Sequence, residues 1–128
     1  MSLTNSFETS VLTWLLTAST PSPARPTAWH LGLFTAAPGE AGGGTELSGS
    51  GYARQSITFT VSGNNASNNA AIEFPTASGS WGTITHAAVF DASTSGNMIA
   101  YASLTASKVI DTGDVLRVPT GDLDINLD

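Results

Sequence analysis

Three prolines within six residues, Pro21, Pro23 and Pro26, most constrain what this chain can fold into. Proline fixes φ, lacks an amide donor and clashes with the preceding helical turn, so no helix crosses residues 20–26. The hydrophobic period differs on the two sides of this break. Before it, Phe7, Val11, Trp14, Leu15 and Ala18 recur at helical spacing and predict a helix over residues 5–18. Asn5 and Glu8 have capping-box spacing at its start. After it, the period is two. Strands are predicted over residues 28–35, 52–60, 70–74, 81–91, 98–105, 115–118 and 123–128, with a brief one over 108–110. Residues 36–50 and 77–80 read as loops, and residues 62–69 and 92–97 as polar turns.

Seven or eight short strands at roughly 10-residue spacing, with one helix, predict an all-β fold. The expected architecture is an antiparallel β-sandwich, jelly-roll or Ig-like. No second helix is available for βαβ crossovers, which argues against a parallel sheet. The domain reading is an amphipathic helix plus Pro-rich link over residues 1–26 and a sandwich over residues 27–128.

Charge and composition narrow the function. Charged residues are 11% of the chain, against roughly 25% in ordinary soluble domains. Ser (16), Thr (17) and Gly (13) make up 46 of the 128 residues, and 41% of the chain is apolar. That apolar share weighs against disorder. It also leaves a hydroxyl-rich surface with little charge to oppose association. The net charge is -6, and Arg25, Arg54, Lys108 and Arg117 lie far apart in sequence. Neither nucleic acid nor an anionic membrane is an expected partner. With no Cys there is no disulfide, thiolate metal site or Cys nucleophile. Residues 1–18 hold no Lys or Arg, unlike a signal peptide. Their run Trp14-Leu15-Leu16 falls far short of the roughly 20 apolar residues of a membrane span. The expectation is an unanchored chain made in a cytoplasm.

Few residues suggest chemistry. His30 and His86, with Asp91 or Glu73, lack zinc-site spacing. They read as sheet or interface residues. Gly49-Ser50-Gly51 lacks the setting of a nucleophile elbow. Gly42-Gly43-Gly44-Thr45 lacks the lysine of a phosphate loop and reads as a flexible or close-packed loop. Asp111, Asp114, Asp122, Asp124 and Asp128 fall short of an EF-hand ligand set and read as turns and a strand face. Trp14, Trp29, Trp81, Tyr52 and Tyr101 read as core or interface rather than a sugar platform. No cofactor, metal or catalytic residue is expected.

The block Leu33-Phe34-Thr35-Ala36-Ala37-Pro38-Gly39-Glu40-Ala41-Gly42-Gly43-Gly44-Thr45-Glu46-Leu47-Ser48-Gly49, followed by Gly51-Tyr52-Ala53-Arg54-Gln55, resembles a family of small tailed-bacteriophage virion proteins. The family is often labelled phage tail fibre protein. Ala71-Ile72-Glu73-Phe74-Pro75, Trp81-Gly82-Thr83-Ile84-Thr85-His86, Phe90-Asp91-Ala92, Leu104-Thr105-Ala106-Ser107-Lys108 and Gly113-Asp114 are similar too. The resemblance implies a non-enzymatic structural protein of the virion, made in the host cytoplasm. The chain has no heptads or shaft repeats, so a head decoration (cement) protein is the expected role. It would bind between subunits of the major capsid protein as a homo-oligomer, with a trimer as the hypothesis. The alternative is a tail fibre or tail-associated adaptor that contacts tail proteins or, as a receptor-binding protein, a host glycan. In either case the expected contact elements are Phe7, Val11, Trp14 and Leu15 of the helix and Gly42, Gly43, Gly44, Thr45 and Leu47 of the loop.

Overall fold

The computed structural model describes residues 1–127; Asp128, read above as the end of the last strand, lies outside them. The elements are β1 (Ser2–Leu3), α1 (Asn5–Leu16), β2 (His30–Ala36), β3 (Thr45–Glu46), β4 (Gln55–Ser56), β5 (Phe59–Ser62), β6 (Asn65–Asn68), β7 (Ile72–Glu73), β8 (Gly82–Phe90), β9 (Met98–Ile110), β10 (Arg117–Val118) and β11 (Asp124–Asn126). The large sheet runs β1-β9-β8-β2-β3, with β4 also on β2. The opposing layer is a two-stranded sheet, β10-β7, and a three-stranded one, β11-β6-β5. All pairings are antiparallel. The all-β sandwich with one N-terminal helix is therefore the fold that forms.

Register explains the core. Leu31 and Leu33 stand opposite Val89 and Ala87, which stand opposite Ala100 and Ala102. This alternating set, with Ile84, meets Ile72, Phe74, Leu116 and Leu123 from the other layer. The opposite face of the large sheet carries Phe34, Ala88 and Phe90, with Met98 and Tyr101 packed against them. Such a face needs a second cover, which comes from the segment after β2.

Several elements differ from expectation for local reasons. Residues 52–60 are not one strand. Ile57 N donates to Trp29 O at 2.8 Å, and Thr58 O accepts from Asn69 N at 3.0 Å. The chain thus changes layers between β4 and β5 and buries Ile57. Only Gly63-Asn64 of residues 62–69 form a tight turn, with Ser62 opposite Asn65. Gly63, at φ +61°, supplies the left-handed first position that such a two-residue hairpin needs. The rest is β6, the middle strand of its sheet. Residues 98–110 form one long β9. Ser103 lies opposite His86 and Lys108 opposite Ile84, so residues 104–107 bulge against Thr85 alone.

The N-terminal segment is stitched to the sandwich. Ser2 and Leu3 pair with Tyr101 and Ala100 of β9. Thr4, not Asn5, is the N-cap residue of α1, and its side chain does not cap. Instead its hydroxyl donates to Met98 O at 2.7 Å, while its amide donates to Ile99 O at 2.9 Å. The sheet outcompetes the capping box because it offers both groups a partner. The helix ends at Leu16 rather than residue 18. Ser10 Oγ donates to Pro23 O at 2.9 Å, folding the Pro-rich link back along the helix.

Candidate functional site

Glycine in a strand marks a close approach, and Gly32 is such a place. A Cβ there would lie 2.9 Å from Glu46 Oε2, 3.0 Å from Phe90 Cε2 and 3.3 Å from the Tyr52 hydroxyl. The missing side chain lets β3 and the strand-like stretch before β4 fold over the sheet. Arg54 Nε and Nη2 grip the Glu46 carboxylate at 2.8 and 2.7 Å. Arg54 Nη1 donates to Ala92 O at 3.0 Å and Ser95 O at 2.8 Å. The guanidinium lies 3.5 Å above the Phe90 ring centre. Tyr52 donates its hydroxyl proton to Glu46 Oε2 at 2.6 Å and accepts from Leu33 N at 3.0 Å.

Burial pushes the Glu46 carboxyl up, but the hydrogen bonds from Arg54 and Tyr52 outweigh it and hold the group below the usual carboxylate range. Burial, then the hydrogen bond to Glu46, pushes the Tyr52 phenol well above its ordinary value. A cluster with shifted ionisations is a functional-site candidate in principle. Here every group is engaged with its own neighbours. The cluster fastens the 37–54 segment onto the outer face of the sheet. Glu40 adds a second tie: it accepts from the Tyr101 hydroxyl at 2.6 Å, and its carbonyl accepts from Asn5 N at 3.0 Å.

The helix supplies a different kind of surface. Phe7 is in the chain's own core, so this expected contact residue acts as an anchor. Val11 is half-buried. Leu12, Trp14, Leu15 and Leu16 are 56, 68, 62 and 72% exposed. Beside them runs an apolar groove of about 340 Å³ between α1 and the Pro-rich link, walled by Phe7, Val11, Trp14, Pro21, Pro23 and Pro26. Leu12, Leu16 and the prolines were not among the expected contacts. The i, i+4 spacing of Leu12 and Leu16 is the signal that could have found them.

The loop residues lie elsewhere. Gly42, Gly43 and Gly44 flank a hollow of about 380 Å³ with Thr4, Ser6 and Met98, at the N-terminal end of α1. Trp14 and Leu15 are on the last turns, roughly 15 Å along the axis at 1.5 Å per residue. The exposed members of the helix group, Trp14 and Leu15, therefore sit at the opposite end of the helix from the glycine loop. Thr45 is exposed on β3, whereas Leu47 packs partly against the core, its amide donating to Leu33 O at 3.0 Å.

The remaining candidates separate. His30 stands opposite Phe90 and His86 opposite Phe34, at the two ends of the β2–β8 pairing. The Asp91 carboxylate accepts from Asn97 N at 2.7 Å and Asn97 Nδ2 at 2.9 Å and closes the hairpin between β8 and β9. Asp114 Oδ2 accepts from Asp111 N at 2.9 Å, making residues 111–114 a turn. Among the described residues, no three His, Cys, Asp or Glu side chains converge as a metal site. Tyr52 and Trp81 meet edge to face inside the core, with Phe74.

A family model described as "Podophage GP4 fiber I protein gp80" matches residues 2–126. This agrees with the resemblance carried by the 33–55 block. No curated protein matches the chain.

Proposed function

The chain belongs to the podophage GP4 fibre I protein family, and from that premise we propose that it is a building block of the tail-fibre assembly, acting by packing rather than by chemistry. Membership makes it a phage virion structural protein that works among other virion proteins. The observation that carries the finer reading is the exposed apolar face of α1. Leu12, Leu15 and Leu16 share one exposed side of α1 and Trp14 stands on the groove side, on a helix tied to the fold by Thr4 and Phe7. Rigidly held apolar patches on a folded surface mark interaction sites. The polar cluster of Glu46, Tyr52 and Arg54 is engaged in holding its own loop.

The head-decoration reading rests on the small size and missing shaft repeats alone, and membership of a fibre protein family favours the fibre. Antibodies against the chain, imaged on intact virions with gold label, test the choice. Label at the tail is the expected result. Label spread over the capsid, with a copy number matching the capsid lattice, would replace the fibre reading with decoration.

A further inference from the structure

We propose that residues 37–48 form a hinged lid on the outer face of the large sheet, opening as one body to uncover Phe34 and Phe90 while the sandwich, β1 and α1 stay folded.

The lid is held differently from what it covers. Phe34 and Phe90 are 2 and 6% exposed, and their rings stack with centres 6.1 Å apart. None of residues 39–50 is buried. Pro38 is buried, but it packs on the lid itself: a Cβ on Gly44 would lie 2.7 Å from its nitrogen. The tip also closes on itself, Gly39 N donating to Gly42 O at 2.9 Å and Gly42 N to Gly39 O at 2.8 Å. The segment can therefore move with its own turn intact. Its ties to the rest are polar. They are the two-residue β3 on β2, Leu47 N on Leu33 O, and the carboxylates of Glu46 and Glu40. Water replaces such bonds once they part, so each contributes little net.

The other half of the Glu46 latch stays behind when the lid lifts. Arg54 is fixed to the β8–β9 hairpin through Ala92 O and Ser95 O. Tyr52 packs on Phe74 and Trp81 in the core. Ser50 O accepts from Ser78 N at 3.0 Å and from Trp81 Nε1 at 2.8 Å, so Ser50 is a fixed point. Beside it Gly49 has room to turn: its φ is +75°, and a Cβ there would meet nothing within 4 Å. Ala37, exposed just past the end of β2, is the second pivot. Hinges lie at such element-terminal and loop positions. At the tip, the hollow of about 380 Å³ lies between Gly42–Gly44 and the start of α1, above Phe34 and Phe90. The lid reaches α1 through Glu40, whose carbonyl accepts from Asn5 N at 3.0 Å. The helix does not follow the lid, because Thr4 is bonded to β9 and Phe7 is buried in the core.

Amide hydrogen exchange of the full chain, read residue by residue by nuclear magnetic resonance, tests the lid. Leu47 N and Asn5 N bond across its boundary, to Leu33 O and Glu40 O. Leu33 N and Thr4 N bond to the Tyr52 hydroxyl and to Ile99 O, which stay in place. Leu47 and Asn5 are expected to share one protection, roughly tenfold or more below that of Leu33 and Thr4. Arg54→Lys keeps the charge and loses the fork, so it is expected to speed exchange at Leu47 and Asn5 by the same factor, about tenfold. Cleavage after Glu46 by a glutamate-specific protease tracks the open population and is expected to rise by that factor too. Equal protection of all four amides overturns the lid. So does a rise at Leu47 that Asn5 does not share, or cleavage after Glu46 that is indifferent to the substitution. These measurements read the isolated chain, so their failure leaves the fibre reading standing.

Discussion

Arg54 and Glu46 meet fork to fork, Nε to Oε2 at 2.8 Å and Nη2 to Oε1 at 2.7 Å, over the face of a sheet that would otherwise lie open. The Arg54 side chain is only 8% exposed. Its remaining donors satisfy the carbonyls of Ala92 and Ser95 in the β8–β9 hairpin. One side chain thus binds the loop after β2 to the turn after β8. Glu46, Tyr52 and Arg54, which build this fastening, all lie within the 33–55 block that carries the phage-family resemblance.

Removing one partner of a desolvated ion pair leaves the other charge uncompensated. Arg54→Met is expected to lower unfolding stability by about 3 kcal/mol, since Glu46 loses both bonds and two carbonyls lose their donors. Arg54→Lys keeps the charge but not the planar fork, so an intermediate loss is expected. Urea unfolding of the two variants beside the native chain checks the order.

The same cluster sets a pH window. The Glu46 carboxyl is held below its usual range in the folded chain, so the unfolded chain binds the proton more readily. Its stabilisation is present above the unfolded-state value and lost as pH falls through the folded one. Tyr52 is shifted upward, so its contribution is present below the ordinary phenol value of about 10 and lost as pH rises beyond it. Melting temperature is therefore expected to fall at both extremes. Glu46→Gln is expected to flatten the acid limb and Tyr52→Phe the alkaline limb. Limbs identical to those of the native chain would separate the cluster from the pH response.

Which parts of this were legible in the sequence depends on how local their cause is. β2 and β8 announce themselves because Leu31, Leu33, Ala87 and Val89 alternate with the other face. β6 does not: Asn65-Ala66-Ser67-Asn68 has no apolar alternation. It is held by amide bonds to distant residues, such as Asn65 Nδ2 to Asn126 Oδ1 at 2.6 Å. β1 and β3 are two residues long and exist only through pairings across the chain. On α1 the apolar residues were plain, but the pattern treats Phe7 and Leu15 alike. Long-range bonds at Thr4 decide that the first turn is buried and the last is free.

Glycines in this fold separate space from backbone conformation. At Gly43, φ is +81° and a Cβ would meet nothing within 4 Å. Gly43→Ala is expected to cost about 1 kcal/mol, the ordinary penalty for a left-handed alanine. At Gly44, φ is +79° and a Cβ would lie 2.7 Å from Pro38 N and 2.8 Å from Ala36 O. Both neighbours are backbone, so the turn itself must move. Gly44→Ala is expected to cost about 2–4 kcal/mol, with overpacking added to the conformational term. Thermal unfolding of the adjacent pair is the comparison, and equal losses would remove the packing argument.

Asn68 tests whether the smaller sheets depend on buried amides as the large sheet depends on apolar alternation. It is 1% exposed. Its Nδ2 donates to Ala70 O at 2.9 Å and Pro119 O at 3.0 Å, and its Oδ1 accepts from Leu123 N at 2.9 Å. One side chain thus joins β6 to the turn after β10 and the start of β11. Asn68→Leu removes all three bonds and leaves the Leu123 amide without a partner in a buried site, while Pro119 O keeps its bond from Asp122 N at 3.2 Å. A loss of about 3 kcal/mol is expected. Asn68→Asp keeps the shape and the acceptor, but it points oxygen instead of donors at two carbonyls. It is expected to lose a similar amount at neutral pH and to recover part of it in mild acid, where the protonated carboxyl regains one donor. That recovery opposes the acid loss set by Glu46, so stability against pH for Asn68→Asp, read against the native chain, shows a shallower acid limb if the amide's donors are what matter.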